Sequence, residues 1–244
     1  ACSDMSSAQY RFSATNTNGT TNATQAFTIE ADDLNIIYVA GNNSIANRSA
    51  NQTDLLVVRI NDTDNRTIVS SGVNTTFYVK FNSISYDSGN LNTTNSTGYA
   101  THYFNATCTP TKHLVGDKDW QANASGNACY KNTGSQVLNL SVRGDILLEF
   151  TTPDGSVNYS QEDTINFLGA TTDDCSDALV TTVRYFANST TSSFQCTTNT
   201  QIGANAFQCN YLTTLVTERG FYNVTMNANR TNHYNNATSN TGNP

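Results

Sequence analysis

The sequence predicts an all-β chain: two β-sandwich domains, residues 31–143 and 144–244, behind an N-terminal extension of residues 1–30. Three observations predict it. Apolar residues recur at every second position in short runs, and no segment sustains a 3.6-residue period. Asn, Asp, Gly and Ser clusters separate the runs at the spacing of a sandwich. A Gly–aromatic step at a strand start occurs twice, at Gly98-Tyr99 and Gly220-Phe221, half a chain of 244 residues apart, so the plan reads as a duplication.

The extension opens with residues 9–14, where Tyr10, Phe12 and Ala14 share one side. The polar stretch 15–24 reads as a flexible connector, and Phe27, Ile29 and Ala31 then alternate again. In the first domain, strands are expected over 35–40, 55–60, 76–81 and 99–105, with a turn at 61–65, and over 137–142 beyond the cysteine region. In the second, strands are expected over 145–150, 164–168, 179–186, 193–196, 207–212 and 221–228, with a turn at Thr152-Pro153-Asp154-Gly155. Only a polar tail without alternation follows residue 228, so the second sandwich is expected to lack its last strand.

Charged residues are only 13% of the chain, and just 12 are Lys or Arg, giving a net charge of −7. No basic cluster interleaves with aromatics, which argues against a nucleic-acid partner. No apolar run is long enough to span a membrane as a helix. With so little charge, solubility must come from amides, hydroxyls and attached sugar.

Sugar attachment has a strong signature. The acceptor pattern Asn-x-Ser/Thr occurs at Asn18, Asn22, Asn42, Asn47, Asn51, Asn61, Asn65, Asn74, Asn92, Asn95 and Asn105 in the first half. In the second it occurs at Asn123, Asn139, Asn158, Asn188, Asn223, Asn229 and Asn236. The chain has 34 Asn, 38 Thr and 22 Ser; random placement of these gives about 8 acceptors, so the excess is roughly twofold. On strands 221–228 and 137–142 the acceptors Asn223 and Asn139 alternate with apolar residues and are expected to face solvent. Covalent N-glycans are expected, and no cofactor is.

Six cysteines, Cys2, Cys108, Cys129, Cys175, Cys196 and Cys209, form an even set without metal-ligand spacing, and read as disulfides of an oxidising compartment. Proximity favours Cys108–Cys129 and Cys196–Cys209. That leaves Cys2 and Cys175 to pair within one chain or between two. The start Ala1-Cys2-Ser3 suits a mature product whose leader has been removed.

Glu218-x-Gly220-x-Tyr222-x-Val224 resembles the Asp-x-Gly-x-Tyr-x-Cys tyrosine-corner signature of immunoglobulin-like domains, with Val in place of the Cys. Residues 220–228, together with 94–101, 128–132 and 171–175, are similar to segments of the Ig-like repeats of large archaeal cell-surface glycoproteins. The resemblance covers residues 50–238 and implies two Ig-like sandwiches of structural or adhesive type, with no catalytic residue to carry over.

Catalytic signals are weak. His102, His113 and His233 belong to no nucleophile motif, and neither a nucleophile elbow nor a phosphate-binding loop is present. Asp173, Asp174 and Asp177, and likewise Asp62 and Asp64, read as turn residues, since calcium needs six to eight oxygens. Trp120, with Asp117 and Asp119, reads as a core anchor ahead of a carbohydrate-contacting loop. A missing last strand and a spare N-terminal strand carrying Tyr10, Phe12, Ala14, Phe27 or Ile29 fit one another. The expected function is therefore a structural subunit of an extracellular, N-glycosylated filament of its own copies, joined head to tail by donor-strand complementation. A cell-surface adhesin or surface-layer stalk is the alternative.

Overall fold

A computed structural model of the chain describes residues 7–48, 52–69, 71–197 and 199–240. All its regular elements are β-strands. The first two, β1 (Ser7–Asn16) and β2 (Gly19–Thr28), form a hairpin in which Asn16 lies opposite Gly19. The stretch expected to be a loose connector is therefore strand, turn and strand. Its Thr residues suit a pleated ribbon, and Thr17-Asn18 closes it, with the Asn16 side chain accepting the Asn18 amide at 2.8 Å.

The body divides into two compact units. Unit 1 comprises Ala1–Ser44, Asp54–Phe104 and Lys118–Leu140; unit 2 comprises Ile45–Thr53, Asn105–Asp117 and Ser141–Pro244. Two short segments from the first half of the sequence thus belong with the second half, which a single boundary near residue 143 does not anticipate.

In unit 1 one sheet contains β3 (Leu34–Ala40), β5 (Asp54–Asp62), β6 (Thr67–Ile68) and β9 (Tyr99–Phe104), with β5 between β3 and β9. The other contains β7 (Asn74–Val79), β8 (Asn90–Thr93), β10 (Gly116–Ala124), the two-residue β11 (Thr133–Gly134) and the start of β12 (Leu138–Thr152), in the order β12-β10-β7-β8. β4 (Ser44–Asn47) pairs with β12. Leu56, Val58, Ile60, Phe77, Val79, Ala100, Phe104 and Trp120 are buried. Phe77 and Trp120 stack with centroids 6.3 Å apart, and the indole N–H donates to the Gly41 carbonyl at 3.0 Å. Trp120 is thus the core anchor, with its one polar atom satisfied.

β10 lies in the cysteine region, where the sequence predicts no strand. It alternates fully, with Gly116, Lys118, Trp120, Ala122 and Ala124 buried, but its outward positions are Asp117, Asp119, Gln121 and Asn123, and one inward position is a lysine. β12 also joins two expected strands, 137–142 and 145–150, into one of 15 residues.

In unit 2 one sheet has the order β16-β17-β13-β12, from β13 (Thr164–Asp173), β16 (Asn199–Gln201) and β17 (Ala206–Leu212). The other has the order β15-β14-β18-β20, from β14 (Thr182–Asn188), β15 (Ser193–Cys196), β18 (Asn223–Asn229) and β20 (Asn236–Asn240), while β19 (His233–Tyr234) pairs with β12. Between the sheets lie Ile146, Phe167, Val183, Tyr185, Phe207, Val224, Met226 and Ala228. Tyr185 buries its ring and donates its hydroxyl to the Phe207 carbonyl at 2.8 Å.

Two expectations about unit 2 are corrected. The tail does supply a strand, since β20 pairs antiparallel with β18 through five residues. Its Asn-Ala-Thr-Ser-Asn sequence carries no apolar alternation, so only backbone pairing reveals it. Cys108 pairs with Cys175, not Cys129. The nine-residue β10 separates Cys108 from Cys129 in sequence and spans about 30 Å. Cys129 is itself disulfide-bonded, and Cys2 lies outside the described residues. Cys196 joins Cys209, linking β15 in one sheet to β17 in the other inside the core.

Candidate functional site

The hairpin is amphipathic. Its register puts Ala8, Tyr10, Phe12 and Ala14 on one face with Ala23 and Phe27, and the Tyr10 and Phe27 rings lie 6.5 Å apart. The opposite face carries Gln9, Arg11, Ser13, Thr20, Asn22 and Thr24. Every residue from Gln9 to Glu30 is exposed, with Tyr10 at 56%, Phe12 at 68% and Phe27 at 47%. The candidate donor residues thus fall on both strands of one ribbon, with Ile29 just beyond it, also exposed. A two-stranded ribbon alone is marginally stable in water, and its exposed apolar residues make this face a candidate binding surface.

The outer strand of unit 2 has the opposite character. β18 buries Val224, Met226 and Ala228, and across from them β20 sets Asn240, Thr238 and Asn236. Directly opposed residues share a face of the sheet, so Thr238 and Asn236 take the positions beside Met226 and Ala228 on this edge. The Asn236 amide reaches across to donate to the Ile146 carbonyl at 2.8 Å.

The acceptor asparagines lie on the surface. Among the described residues none is buried: Asn18, Asn22, Asn42, Asn65, Asn92, Asn95, Asn139, Asn158, Asn188, Asn223, Asn229 and Asn236 are exposed, and Asn47, Asn61, Asn74, Asn105 and Asn123 are half-buried. Asn51 lies outside the described residues. Asn139 is exposed between buried Leu138 and Leu140, and Asn223 beside buried Val224. The Asn95 carbonyl oxygen accepts the Thr97 amide, the Thr97 hydroxyl and the Tyr99 amide within 3.0 Å. The Asn65 amide instead spends both protons, on Asp62 at 2.7 Å and Asp32 at 3.1 Å.

The acidic turn of unit 2 is a structural clamp. Arg48 is buried and reaches Asp174 through Nε and Nη2 at 2.8 and 2.7 Å, Asp173 through Nη2 at 2.8 Å, and the His113 carbonyl through Nη1 at 3.0 Å. Asp173 in turn accepts the amides of Cys175 and Asp177 at 2.9 and 2.8 Å, which holds Cys175 toward Cys108. Burial works against the charged form of Asp174, but the hydrogen bonds and charge of Arg48 outweigh it and hold that carboxyl below its ordinary value. Sequence reading found the aspartates but not Arg48, which lies 126 residues from Asp174. Asp62 likewise ties down a turn. Burial opposes its charge, and hydrogen bonds from Asn65 and its neighbours prevail, lowering its pKa.

The histidines serve separate local roles. His102 lies 5.7 Å from the Phe77 ring, and burial lowers its pKa. His113 Nδ1 accepts the Thr107 amide at 3.3 Å, and His233 Nδ1 lies 3.1 Å from the Thr231 carbonyl. The tyrosine corner implied by the sequence is formed: the Tyr222 hydroxyl donates to the Glu218 carbonyl at 2.9 Å and lies 2.8 Å from the Ser192 hydroxyl.

No family model matches the chain, and no curated protein does. Solved structures do. A three-domain I-band fragment of titin aligns with a TM-score of 0.51 at 11% identity, over 96% of this chain and 72% of that one. A mutated variant of the same fragment gives 0.50 at 12%, with the same coverage. This chain is built of Ig-like β-sandwiches. A tetra-tandem repeat from the extending region of a large adhesion protein also aligns, at 18% identity with a TM-score of 0.44, over 96% of this chain and 55% of that one. Identities this low speak to the fold and not to the function.

Proposed function

We propose that this chain is a structural subunit of an extracellular, heavily N-glycosylated filament, whose copies join head to tail when the N-terminal segment of one completes the Ig-like sandwich of the next. The observation that carries the reading is the hairpin: Tyr10, Phe12, Ala14, Ala23 and Phe27 share one exposed face, while the acceptor Asn22 sits on the other. That face suits insertion into a neighbour's sheet, where main-chain bonds supply affinity and alternate side chains fill the core. A head-to-tail joint that does not close on itself propagates as a fibre. Disulfides fit an oxidising, extracellular setting, and surface acceptors supply hydrophilic cover to a chain with only 13% charged residues.

The test places a charge on the apolar face. Tyr10→Asp and Phe12→Asp, made in the full chain, leave the sandwiches intact because both positions are exposed. Sedimentation should show large assemblies for the parent chain and single subunits for either variant. Assemblies that persist in both variants would sink the reading. A cell-surface adhesin or surface-layer stalk is the second reading, and the loop that includes Val216 (88% exposed) and Phe221 (81% exposed) is the surface it would use.

A further inference from the structure

We infer that β20 is a removable cap: in the free subunit it covers the edge of β18, and the incoming N-terminal strand of a second copy displaces it. This rests on the donor-strand reading and adds a step that controls it. Three observations carry the inference. β20 is short, five residues, and its register sets Asn236, Thr238 and Asn240 opposite Ala228, Met226 and Val224, with the Asn236 side chain also donating to the Ile146 carbonyl of β12. Those three partners are core residues, so the strand beside them holds a core-side row without contributing an apolar side chain to it. The segment Ser7–Asn16 has the complementary defect, with alternate apolar residues Ala8, Tyr10, Phe12 and Ala14, of which the last three are exposed.

The physical logic is an exchange at one edge. An uncovered β18 would present a free row of N–H and C=O groups, which invites uncontrolled pairing. β20 satisfies those groups and so keeps the subunit closed. An incoming strand forms the same backbone bonds and in addition removes Tyr10 and Phe12 from water, so the exchange runs toward the joint. The cap's root is held independently. His233 and Tyr234 pair with Gly144 and Asp145 of β12, and the Arg143 guanidinium lies 5.8 Å from the Tyr234 ring centroid. The last strand can therefore peel off without unravelling what precedes it.

The experiment uses a fluorescent peptide of sequence Ser7–Asn16 added to the full chain, to a chain ending after Asn235, and to full-length Thr238→Val, which sets an apolar residue opposite Met226. Thr238→Asn controls for loss of the Asn236 acceptor, which the truncation and Thr238→Val both remove, and it keeps the Asn236 bond to Ile146 and a polar residue opposite Met226. The inference predicts peptide association at least tenfold faster than the parent in the truncated chain, several-fold slower in Thr238→Val, and little changed in Thr238→Asn. Equal rates in the truncated and full chains overturn the cap while leaving donor-strand joining intact. No peptide binding to any chain overturns both.

Discussion

Arg48 meets two carboxylates with one guanidinium while nearly excluded from solvent, at 1% side-chain exposure. Breaking such a buried cluster costs more than forming it gains, because the remaining charges stay buried without a partner. Arg48→Ala should therefore destabilise the chain by about 3–5 kcal/mol in denaturant unfolding. The same cluster sets an acid limit. The folded-state pKa of Asp174 lies below its ordinary value of 3.8. Its contribution is therefore fully present above that ordinary value and is lost as pH falls through the folded one. The thermal stability of the parent chain should fall as pH drops below about 4, and that of the Arg48→Ala chain should change less over that window. An unchanged difference between the two across this range would contradict the assignment. At the acceptors, glycan attachment replaces one amide proton of asparagine. Asn65 uses both of its protons on Asp62 and Asp32, whereas the local bonds of Asn95 fall on its carbonyl oxygen. Site-resolved glycopeptide mass spectrometry should find lower occupancy at Asn65 than at Asn95.

Strands were legible where apolar residues alternate, and hidden where polar residues take alternate places. Phe77 and Val79 of β7, and Val224 and Met226 of β18, announce their strands through the side chains they bury. β10 buries Lys118 and turns Asp117 and Asp119 outward or half-outward, so its charge masks its period. β20 has Ala237 as its one apolar residue, and no alternation in its own sequence marks it as a strand. Cysteine pairing failed for a related reason. Sequence proximity ignores that a strand carries the chain away from its start, and the turn that presents Cys175 to Cys108 is fixed by Arg48, an unrelated part of the sequence. The 67-residue separation of Cys108 from Cys175 makes that bridge worth about 4 kcal/mol by loop-closure entropy, against about 3 for a loop near the 13 residues of Cys196–Cys209. Replacing both Cys108 and Cys175 with Ser should accordingly lower stability by the larger amount. Non-reducing peptide mapping should recover a Cys108–Cys175 peptide and no Cys108–Cys129 peptide.

At the scale of the molecule, two features point toward assembly in the same way. Acceptors distributed over sheet faces and loops restrict broad protein contact if they carry sugar, and they leave narrow joints such as a strand edge as the accessible mode of association. In the proposed assembly the hairpin is that joint, since its apolar face is exposed on a ribbon too small to be stable by itself. The tandem Ig-like fold was readable from period, spacing and the Glu218–Tyr222 corner, because these depend on local sequence. The interleaved unit boundaries were not, because residues 45–53 and 105–117 join unit 2 through long-range contacts such as the Arg48 clamp. The central claim is that residues 7–28 join one copy to the next. Negative-stain electron microscopy of the full chain beside a chain lacking residues 7–28 tests it most directly. The account predicts filaments from the full chain and discrete particles from the shortened one, and filaments of the same form from both would contradict it.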